Sequence, residues 1–270
     1  MAGTAVRGRL TWQTATVGAV TDETPAVRTL SLDVPDWAGH RAGQHLDIRL
    51  TGDDGYRAER SYSIASAPGE PLAITVERLD DGEVSPYLTQ DVQPGDEIEV
   101  RGPIGGYFIW DPPVSGQGPL LLAAGGSGVV PLRAILRHRS LVGSSVPVRL
   151  LYSVRSQAEV IYRSELAAPA DGVAVIYTLT RQQPPGWTGY ARRVDQQLMT
   201  EVAWPVAAGP LAYVCGPTNF VEAVASDLVA LGYPPQRVKT ERFGATGTPL
   251  LSAVFVCRYC LGLLSGLEVV

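Results

Sequence analysis

Residues 60–63, Arg-Ser-Tyr-Ser, place a guanidinium, a phenol and two hydroxyls within one short extended stretch. Side chains of a strand alternate between its two faces, so Arg60 and Tyr62 share one face while Ser61 and Ser63 share the other. The structural alternative is a strand with a hydrogen-bonded Tyr and a surface Arg. The neighbouring sequence motifs indicate which of these two interpretations applies to Arg60 and Tyr62.

A glycine-rich turn in LLLAAGGSGVVP, residues 120–131, separates an apolar strand-like run from the start of a helical pattern. Gly125, Gly126 and Gly128 carry no side chains, so backbone amides can approach an anion, and the N-terminus of the helix adds partial positive charge. The spacing differs from the dinucleotide fingerprint GxGxxG. A tight turn without a ligand stays open as the alternative.

Cationic and hydroxyl side chains follow the next two strand-like runs. VRLLYS ends at Ser153 and is followed by Arg155, whereas VAVIYTLT ends at Thr180 and is followed by Arg181. An NAD-type site usually has a carboxylate at this position, while a 2′-phosphate requires cationic and hydroxyl groups. The pattern therefore favours a phosphorylated nucleotide, with two solvated surface arginines as the alternative.

Two further segments carry candidate site residues. Gly82 and Ser85 in GEVSPYL begin a short helical stretch and form a second candidate anion site, for which an ordinary N-cap Ser is the alternative. Cys215 ends the apolar run LAYVC and precedes Gly216 and Pro217. A buried Cys at a strand end is usually a small packing residue.

The candidate site residues lie in two parts of the sequence that predict two different kinds of β-sheet. Up to about Trp110, apolar and polar residues alternate in six short runs separated by turn signals, and one helical piece, SPYLTQ, interrupts the pattern. This pattern predicts a closed antiparallel barrel. The runs are TWQTATVGAV, AVRTLSLDV, QHLDIRL, RSYSIAS, LAITVERL and DEIEVRG. The segment TGDDGYRAE, residues 51–59, is predicted to be the polar loop before the fourth strand.

After the Pro- and Gly-rich residues 111–119, apolar strand-like runs alternate with helix-length segments. This alternation predicts a parallel sheet covered on both faces, with ligands at the carboxyl ends of its strands. The predicted strands are LLLAA, VRLLYS, VAVIYTLT, LAYVC and RVKTER, and the predicted helices are PLRAILRHRSL, QAEVIYRSELA, VDQQLMTEVA and NFVEAVASDLVALG. We predict an antiparallel six-stranded Greek-key β-barrel over residues 1–113, a five-stranded parallel α/β nucleotide-binding domain over 114–247 and a separate tail over 248–270.

Composition and charge limit the functional class. The formal net charge of −5 gives no reason to expect a nucleic-acid partner, because such a partner calls for a basic face. The chain has only three cysteines and its start, MAGTAVRGRL, lacks the apolar core of a secretion signal, which predicts a cytoplasmic location. The tail is apolar, but Arg258 near its middle costs roughly 2.5–3.5 kcal/mol on insertion scales, so membrane contact is not expected. A packed helix, an oligomer contact and an accidental extension stay open for it.

Taken in order, RSYS, GEVS, GGSGVVP, CGPTNF and ERFG resemble the motifs of the ferredoxin–NADP reductase superfamily of flavoproteins, in particular the reductase modules that serve oxygenases and similar acceptors. The match covers roughly residues 10–247. The resemblance implies a flavin-binding barrel followed by a pyridine-nucleotide-binding α/β domain. It also implies an oxidoreductase that moves a hydride from NAD(P)H to a bound flavin and then passes electrons to an acceptor.

The resemblance assigns roles to residues of the barrel. Arg60 would pair with a flavin phosphate, and the Tyr62 ring would lie against the isoalloxazine. Ser63 would sit beside flavin N5, the atom that accepts the hydride, and Ile64 would be a further flavin contact. Under this assignment the opening Arg-Ser-Tyr-Ser stretch binds the flavin at both its phosphate and its ring.

The resemblance also assigns two segments to phosphates. Gly82, Val84 and Ser85 would supply amides and a hydroxyl to the flavin phosphate or pyrophosphate, which favours FAD over FMN because a pyrophosphate then has amides of its own. The glycine turn, with Ser127 at its centre, would hold the nicotinamide dinucleotide. The two arginines at the strand ends favour NADPH over NADH.

At the reacting end, the resemblance places Cys215 with its two following residues against the nicotinamide ring. We favour a positional role for the thiol over a redox role, because no partner thiol is predicted nearby. Glu241 and Phe243 in ERFG would return to the flavin, where Phe243 would cover the ring and be displaced by nicotinamide; an ordinary closing hydrophobe is the alternative. Ser63, Cys215 and Glu241 are the candidate catalytic residues.

The electron acceptor is expected to be a separate protein, or else a small molecule. Several related reductases carry an iron–sulfur module, but with Cys215 placed at the nicotinamide only Cys257 and Cys260 remain, whereas a cluster needs about four cysteines. No metal site is therefore expected. The alternative function is a non-catalytic flavin- or nucleotide-binding subunit that transfers electrons only with a partner enzyme. The identity of the acceptor and the oligomeric state cannot be read from these residues.

Overall fold

The computed structural model describes residues 10–111 and 118–243, and these form two sheets. The first is six-stranded and antiparallel, and the second is five-stranded and parallel with helices between its strands. The predicted fold class is therefore confirmed. The predicted boundary between residues 113 and 114 and the predicted tail over 248–270 lie outside the described residues, so the domain limits stay predictions.

The first sheet is built from strands in which buried and exposed residues alternate, as expected when one face lies on a core. Its elements are β1 (Gln13–Thr24), β2 (Val27–Asp33), β3 (His45–Thr51), β4 (Arg57–Ser63), β5 (Ala73–Glu77), α1 (Ser85–Gln90) and β6 (Glu97–Ile104). The spatial order is β4-β3-β6-β1-β2-β5, so β6 returns to lie beside β1 as in a Greek key. Fully buried Leu30, Leu46 and Ile48 belong to the core inside this sheet.

The two ends of this strand order meet, which closes the barrel. Ile64 and Ile74 form an isolated antiparallel bridge between the end of β4 and β5, and the Ala65 N–H donates to the Ala73 carbonyl oxygen at 2.8 Å. Within residues 10–111 this is the one bridge that joins β4 to β5. The barrel is therefore held together narrowly beside the Arg-Ser-Tyr-Ser stretch.

The fourth strand begins earlier than its sequence pattern predicts. Residues 57–59 were predicted to be loop, and this is wrong, because Arg57 pairs with Thr51 and the ladder runs from there to Ser63. Only Ala58 is buried within the added segment, while Arg57 and Glu59 are exposed. Polar side chains on the outer face of a hairpin leave little strand signal in the sequence.

The second sheet has the order β11-β10-β7-β8-β9. Its central strand, β7, is buried along its whole length, which explains the continuous apolar run that predicted it. The elements are β7 (Leu120–Gly125), α2 (Val129–Leu141), β8 (Val148–Val154), α3 (Arg163–Ala167), β9 (Val173–Leu179), α4 (Gln196–Val202), β10 (Leu211–Pro217), α5 (Thr218–Ala230) and β11 (Val238–Phe243).

The helix predicted over residues 157–167 is not continuous. A 3₁₀ turn covers Gln157–Glu159, and α3 begins only at Arg163, after Tyr162 adopts a left-handed backbone with φ 59° and ψ 34°. The three residues before α3, Val160, Ile161 and Tyr162, are all buried. Three consecutive buried side chains point in directions that one face of an amphipathic helix cannot supply, so the chain breaks there.

A continuous apolar cluster joins the two domains. Ala65, Phe108 and Trp110 from the barrel side share it with residues of the second sheet such as Tyr213. The Phe108 and Tyr213 rings meet edge to face with centroids 5.2 Å apart, and the Tyr213 hydroxyl donates to the Ile109 carbonyl oxygen at 2.7 Å. The domains therefore share buried core as well as a connection. No helix in the described part of the chain is both long enough and apolar enough to span a membrane.

Buried Arg139 fastens the end of α2 to the starts of β8 and β9. Its guanidinium donates to the carbonyl oxygens of Val146 at 2.7 Å and Asp171 at 2.9 Å, and its residue is only 4% exposed. We expect R139A to lower the free energy of unfolding by about 3 kcal/mol, because a buried side chain and its two hydrogen bonds to backbone carbonyls are lost. Urea unfolding measures this, with R193A at an exposed position as the control. Equal losses in the two variants would contradict the assignment.

Candidate active site

The predicted nucleotide-binding residues lie at the carboxyl ends of the parallel strands. Gly125 ends β7 and pairs with Ser153 of β8, while Cys215 lies near the end of β10 beside Glu241 of β11. The backbone of Thr180 follows β9 and donates to the Val154 carbonyl oxygen at 2.9 Å. The structure therefore brings residues from all five strand ends to one edge of the sheet, where ligands of such folds bind.

The glycines of the turn differ in their surroundings. A Cβ on Gly128 would lie 2.0 Å from the Cys215 carbonyl oxygen, and one on Gly125 would lie 2.9 Å from the Phe220 ring, so both positions require glycine for packing. Gly126 has φ 55° and nothing within 4 Å of the position of a Cβ. Of the three, Gly126 is the one that leaves open space for a ligand, and half-buried Ser127 follows it in a 3₁₀ turn.

Phe220 is a site residue that the sequence analysis did not single out. Its Cδ1 would lie 2.9 Å from a Cβ on either Gly125 or Gly216, so its ring covers the ends of β7 and β10 together. The sequence signal is an aromatic five residues after Cys215, in the CGPTNF motif. An aromatic in the first turn of a helix is typical of core packing as well, which is why the pattern alone does not identify it.

The two candidate phosphate-binding arginines are neighbours in space. The Arg181 N–H donates to the Arg155 carbonyl oxygen at 2.9 Å, and both residues are exposed. Half-buried Ser153 lies at the same strand end, and the Thr180 hydroxyl donates to the Val154 carbonyl oxygen at 3.2 Å. The arrangement offers two guanidinium groups and hydroxyl acceptors at one corner of the sheet.

On the barrel, the ladder places Arg60 opposite Ile48 and Tyr62 opposite Leu46, so both side chains lie on the face that carries the barrel core. Tyr62 packs against that core, and burial raises its pKa far above the ordinary value, which keeps the phenol neutral. Half-buried Ser63 pairs with His45, and buried Ile64 follows it at the bridge that closes the barrel.

The segment Gly82–Ser85 lies next to Arg60. The Arg60 guanidinium donates to the Glu83 carboxylate at 2.8 Å, and the Tyr56 hydroxyl donates to the same carboxylate at 2.7 Å. These hydrogen bonds, first that of Tyr56, lower the pKa of Glu83. Glu83 is a site residue that the sequence motifs do not identify. A phosphate bound at Arg60 therefore shares this guanidinium with a carboxylate or displaces it.

The N-cap alternative for Ser85 is wrong. Val84, which is fully buried, is the N-cap of α1, and Ser85 is the first residue of the helix. The Ser85 hydroxyl accepts a hydrogen bond from the Leu79 N–H at 3.0 Å and so helps to close the loop before α1. Its place as a phosphate ligand stays a prediction, and so does that of the Gly82 amide, which already donates to the Leu79 carbonyl oxygen at 2.8 Å.

The strand ends around Cys215 form a buried and weakly polar corner. Burial, and then the neighbouring Glu241, raise the pKa of the Cys215 thiol well above its ordinary value, so it stays protonated at neutral pH. This fits a positional role rather than a nucleophilic one. Phe243 pairs with exposed Pro217 and packs, half-buried, against the cluster that joins the two domains.

Glu241 is the most unusual titratable group of this corner. Its Oε2 atom is buried and has no hydrogen-bond partner among the residues that the structure describes. Burial raises its pKa from 4.5 to about 7. An unpaired buried carboxyl at a ligand-binding edge is typical of a functional site.

Helix α2 joins the two halves of the site. It begins directly after the glycine turn, and its residue Arg133 donates to the Ala65 carbonyl oxygen at 3.2 Å, two residues beyond Ser63. The predicted flavin strand and the predicted dinucleotide turn are therefore connected through one turn of helix. A flavin and a nicotinamide dinucleotide fit the groups found here. The open space at Gly126 and the guanidinium of Arg60 suit their phosphates, and Glu241 has a carboxyl oxygen without a partner in the described residues.

Two family models match most of the chain. An oxidoreductase FAD-binding domain matches residues 14–109, and an oxidoreductase NAD-binding domain matches residues 122–226. The first range lies in the barrel and the second in the parallel sheet with its helices. The site residues predicted from the motifs fall within these ranges, except Glu241 and Phe243.

Curated relatives with similar sequences are reductases. The chain is 34% identical over 238 residues to ferredoxin–NADP reductase B of Sorangium cellulosum, which covers 83% of this chain and 95% of that protein. It is 31% identical over 236 residues to a glycine betaine monooxygenase reductase subunit of Chromohalobacter salexigens, with 84% of this chain covered. The chain spans only 63% of the length of that subunit.

Among solved structures, the flavohem-like FAD/NAD binding domain of nitric oxide dioxygenase from Vibrio cholerae is similar in fold and sequence. The TM-score is 0.75 at 26% sequence identity, and the match covers 86% of this chain and 98% of that one. The similarity therefore extends over both domains of the chain.

The close contact between Gly128 and β10 predicts that this position of the glycine turn tolerates no side chain. We expect G128A to lower the free energy of unfolding by about 3 kcal/mol or more, since its Cβ meets backbone that must move. G126A is the matched control, because its Cβ meets nothing and only its left-handed φ costs about 1–2 kcal/mol. Urea unfolding of both variants compares these values, and a costlier G126A would contradict the packing role.

The raised pKa of Glu241 predicts a pH-dependent stability. The folded state holds the proton more tightly than the unfolded state, so this group stabilises below about pH 4.5 and its contribution is lost as the pH rises through about 7. We expect E241Q to have a higher free energy of unfolding in urea than the parent at pH 8, by at most about 3 kcal/mol. At pH 5 the two free energies of unfolding should differ little. The exposed variant E159Q serves as control. A pH-independent difference would contradict the buried state of Glu241.

Proposed function

The chain belongs to the ferredoxin–NADP reductase superfamily of FAD- and NAD-binding oxidoreductases, and on that basis we propose that it oxidises NADPH through bound FAD and passes the electrons to a separate acceptor protein. The observation that carries the proposal is the hydrogen bond from Arg133 of α2 to Ala65, which joins the glycine turn to the strand of Arg60 and Tyr62. FAD, when bound, supplies a ring that takes two electrons as a hydride and can release them singly.

The barrel residues bind and orient the flavin in this proposal. Arg60 and the amides of residues 83 and 84 would hold its phosphates, where the Glu83 carboxylate competes for the same guanidinium. The Gly82 amide would first have to leave the Leu79 carbonyl oxygen. Tyr62, neutral because it is buried, offers a flat apolar ring to the isoalloxazine. Ser63 offers a hydroxyl at the position assigned to flavin N5, and Ile64 lines the same strand.

Residues of the second domain bring the nicotinamide to the same place. The Gly125–Gly128 turn and the N-terminus of α2 hold the dinucleotide phosphates, and Phe220 fixes the shape of the turn. The neutral Cys215 thiol would lie against the nicotinamide ring, and Gly216 and Pro217 shape the strand end around it. The Glu241 carboxylate, when ionised, would offer a negative charge to the positively charged, oxidised nicotinamide.

NADPH is the proposed electron donor because of Arg155 and Arg181. Guanidinium groups bind the 2′-phosphate in a bidentate manner, and Ser153 and Thr180 supply hydroxyls beside them. NADH lacks that phosphate and gains nothing from the pair. The proposed acceptor is a protein of an oxygenase-like system, because a relative of this chain is the reductase subunit of a monooxygenase. A cytoplasmic location stays a prediction from the composition.

The donor proposal is tested with purified protein, extracted flavin and an artificial electron acceptor. We expect a yellow protein that contains FAD and that oxidises NADPH. R155A and R181A should each lower kcat/KM for NADPH by about tenfold or more, with kcat/KM for NADH little changed, since each variant loses a charged hydrogen bond to the 2′-phosphate. R193A is the matched exposed control.

Variants that keep the parent's preference for NADPH would contradict the role of the arginines. A colourless protein without turnover would instead support the alternative function, a nucleotide-binding subunit that needs a partner enzyme.

A further inference from the structure

We propose that Tyr162 is a positioning residue, whose hydroxyl ties barrel strand β5 to the nucleotide-binding domain and so sets the spacing between β4 and the glycine turn. The proposal rests on the proposed function, because hydride transfer crosses that spacing. A reaction of this kind is sensitive to small errors in position, and a displacement of about 1 Å can slow a reaction about a hundredfold.

Tyr162 has a backbone that its residue type disfavours. It is the one non-glycine residue with positive φ in the described ranges, 10–111 and 118–243, and it is only 3% exposed. A left-handed backbone costs energy for a residue with a Cβ, and it persists only where the surrounding structure holds it. The contacts of the Tyr162 side chain are therefore part of what holds this left-handed backbone in place.

The Tyr162 side chain reaches into the barrel. Its hydroxyl donates to the Thr75 hydroxyl in the middle of β5, and Thr75 is only 4% exposed. The Thr75 oxygen lies 2.8 Å from that of Thr29, whose hydroxyl donates to Glu23 at 2.8 Å. Burial raises the pKa of Tyr162 far above the ordinary value, so the phenol keeps its proton. A chain of hydroxyls, buried at Tyr162 and Thr75 and half-buried at Thr29, thus runs from the second domain across two barrel strands.

The same ring supports the arginine that connects the two halves of the site. The Arg133 guanidinium lies 4.3 Å from the centre of the Tyr162 ring, donates to Glu165 at 2.8 Å and donates to the Ala65 carbonyl oxygen at 3.2 Å. Arg133 lies one turn into α2, which begins at the glycine turn. Tyr162 therefore bonds to β5 itself and also supports the arginine that bonds to the barrel just after β4.

Two other tyrosines make hydrogen bonds between the domains, but at a different place. The Tyr213 hydroxyl donates to Ile109 and the Tyr107 hydroxyl to Val238, and both barrel-side residues belong to the segment after β6 that leads into the second domain. The Tyr162 bond reaches β5, whose Ile74 closes the barrel against Ile64. Arg137 of α2 also donates to Glu70, in the loop between β4 and β5, at 2.9 Å. The Tyr162 bond is therefore one of the contacts that hold the closing end of the barrel against the second domain, and it reaches strand β5 itself.

The kinetic test uses flavin-loaded full-length protein and rapid mixing with NADPH. We expect Y162F and T75V to slow flavin reduction at saturating NADPH by about tenfold or more, with flavin content and the Kd for NADPH unchanged. T75S, which keeps the hydroxyl, should recover most of the parent rate. Y233F is the matched control. The hydroxyl of buried Tyr233 donates to the Trp204 carbonyl oxygen at 2.7 Å, so this variant removes a similar hydrogen bond that lies within the second domain.

A second test needs no cofactor. In the apoprotein, Y162F should lower the free energy of unfolding of the parent but leave that of T75V unchanged, because T75V already lacks the acceptor for the Tyr162 hydroxyl. T75V itself should lose more stability than Y162F, since it also removes the hydrogen bond between Thr75 and Thr29. Additive losses in the double variant would show that Tyr162 and Thr75 do not share a hydrogen bond.

The outcomes separate this proposal from the proposed function. If NADPH reduces the parent and also reduces Y162F and T75V at the parent rate, only the positioning role is overturned. A similar slowing in Y233F would also overturn it, because any lost tyrosine bond would then have the same effect. If neither NADPH nor NADH reduces the flavin-loaded parent, the proposed function is wrong and the positioning role is wrong with it.

Discussion

Contact between backbones at the start of α2 governs the arrangement of the site. Gly128 lies so near the Cys215 carbonyl that a methyl group there would overlap it, at 2.0 Å from the oxygen. This approach presses the glycine turn against the end of β10 and sets the direction in which α2 leaves the sheet. One turn later the helix carries Arg133 to the barrel backbone at Ala65. The close contact therefore places the turn against the strand end with Cys215, and the Arg133 hydrogen bond places both relative to the segment that follows the strand of Tyr62.

The charges of the site are arranged by depth. Burial raises the pKa values of the Cys215 thiol and the Tyr62 phenol, so both stay protonated, and it raises the pKa of Glu241 to about 7. The permanently charged groups, Arg60 on the barrel and the arginine pair after β8 and β9, lie at exposed or partly exposed positions. Such a distribution suits ligands with flat neutral rings at one end and phosphates at the other, because only the phosphates need formal charge from the protein.

Much of the architecture follows from local sequence, and the departures have physical causes. Alternation identified the barrel strands, and continuous apolar runs identified the parallel ones, because burial on one or two faces determines each pattern. The start of β4 was missed since its outward side chains are polar, and the break at Tyr162 was missed since QAEVIYRSELA has an amphipathic period. Glu83, Phe220 and Arg133 act through contacts between segments far apart in the chain, which no local pattern records. The roles of the motif residues themselves came from a family resemblance and stay predictions.

The narrow closure of the barrel has a consequence for how a cofactor is recognised. Because β4 meets β5 only at the Ile64–Ile74 bridge in the described residues, alternate main-chain N–H and C=O groups along Arg57–Ser63 point away from β3 without a neighbouring strand. A heterocycle with its own imide donors and acceptors would pair with these main-chain groups if it lay along this edge. Part of its recognition is then independent of side-chain identity, and replacing Arg60 or Tyr62 leaves that part intact.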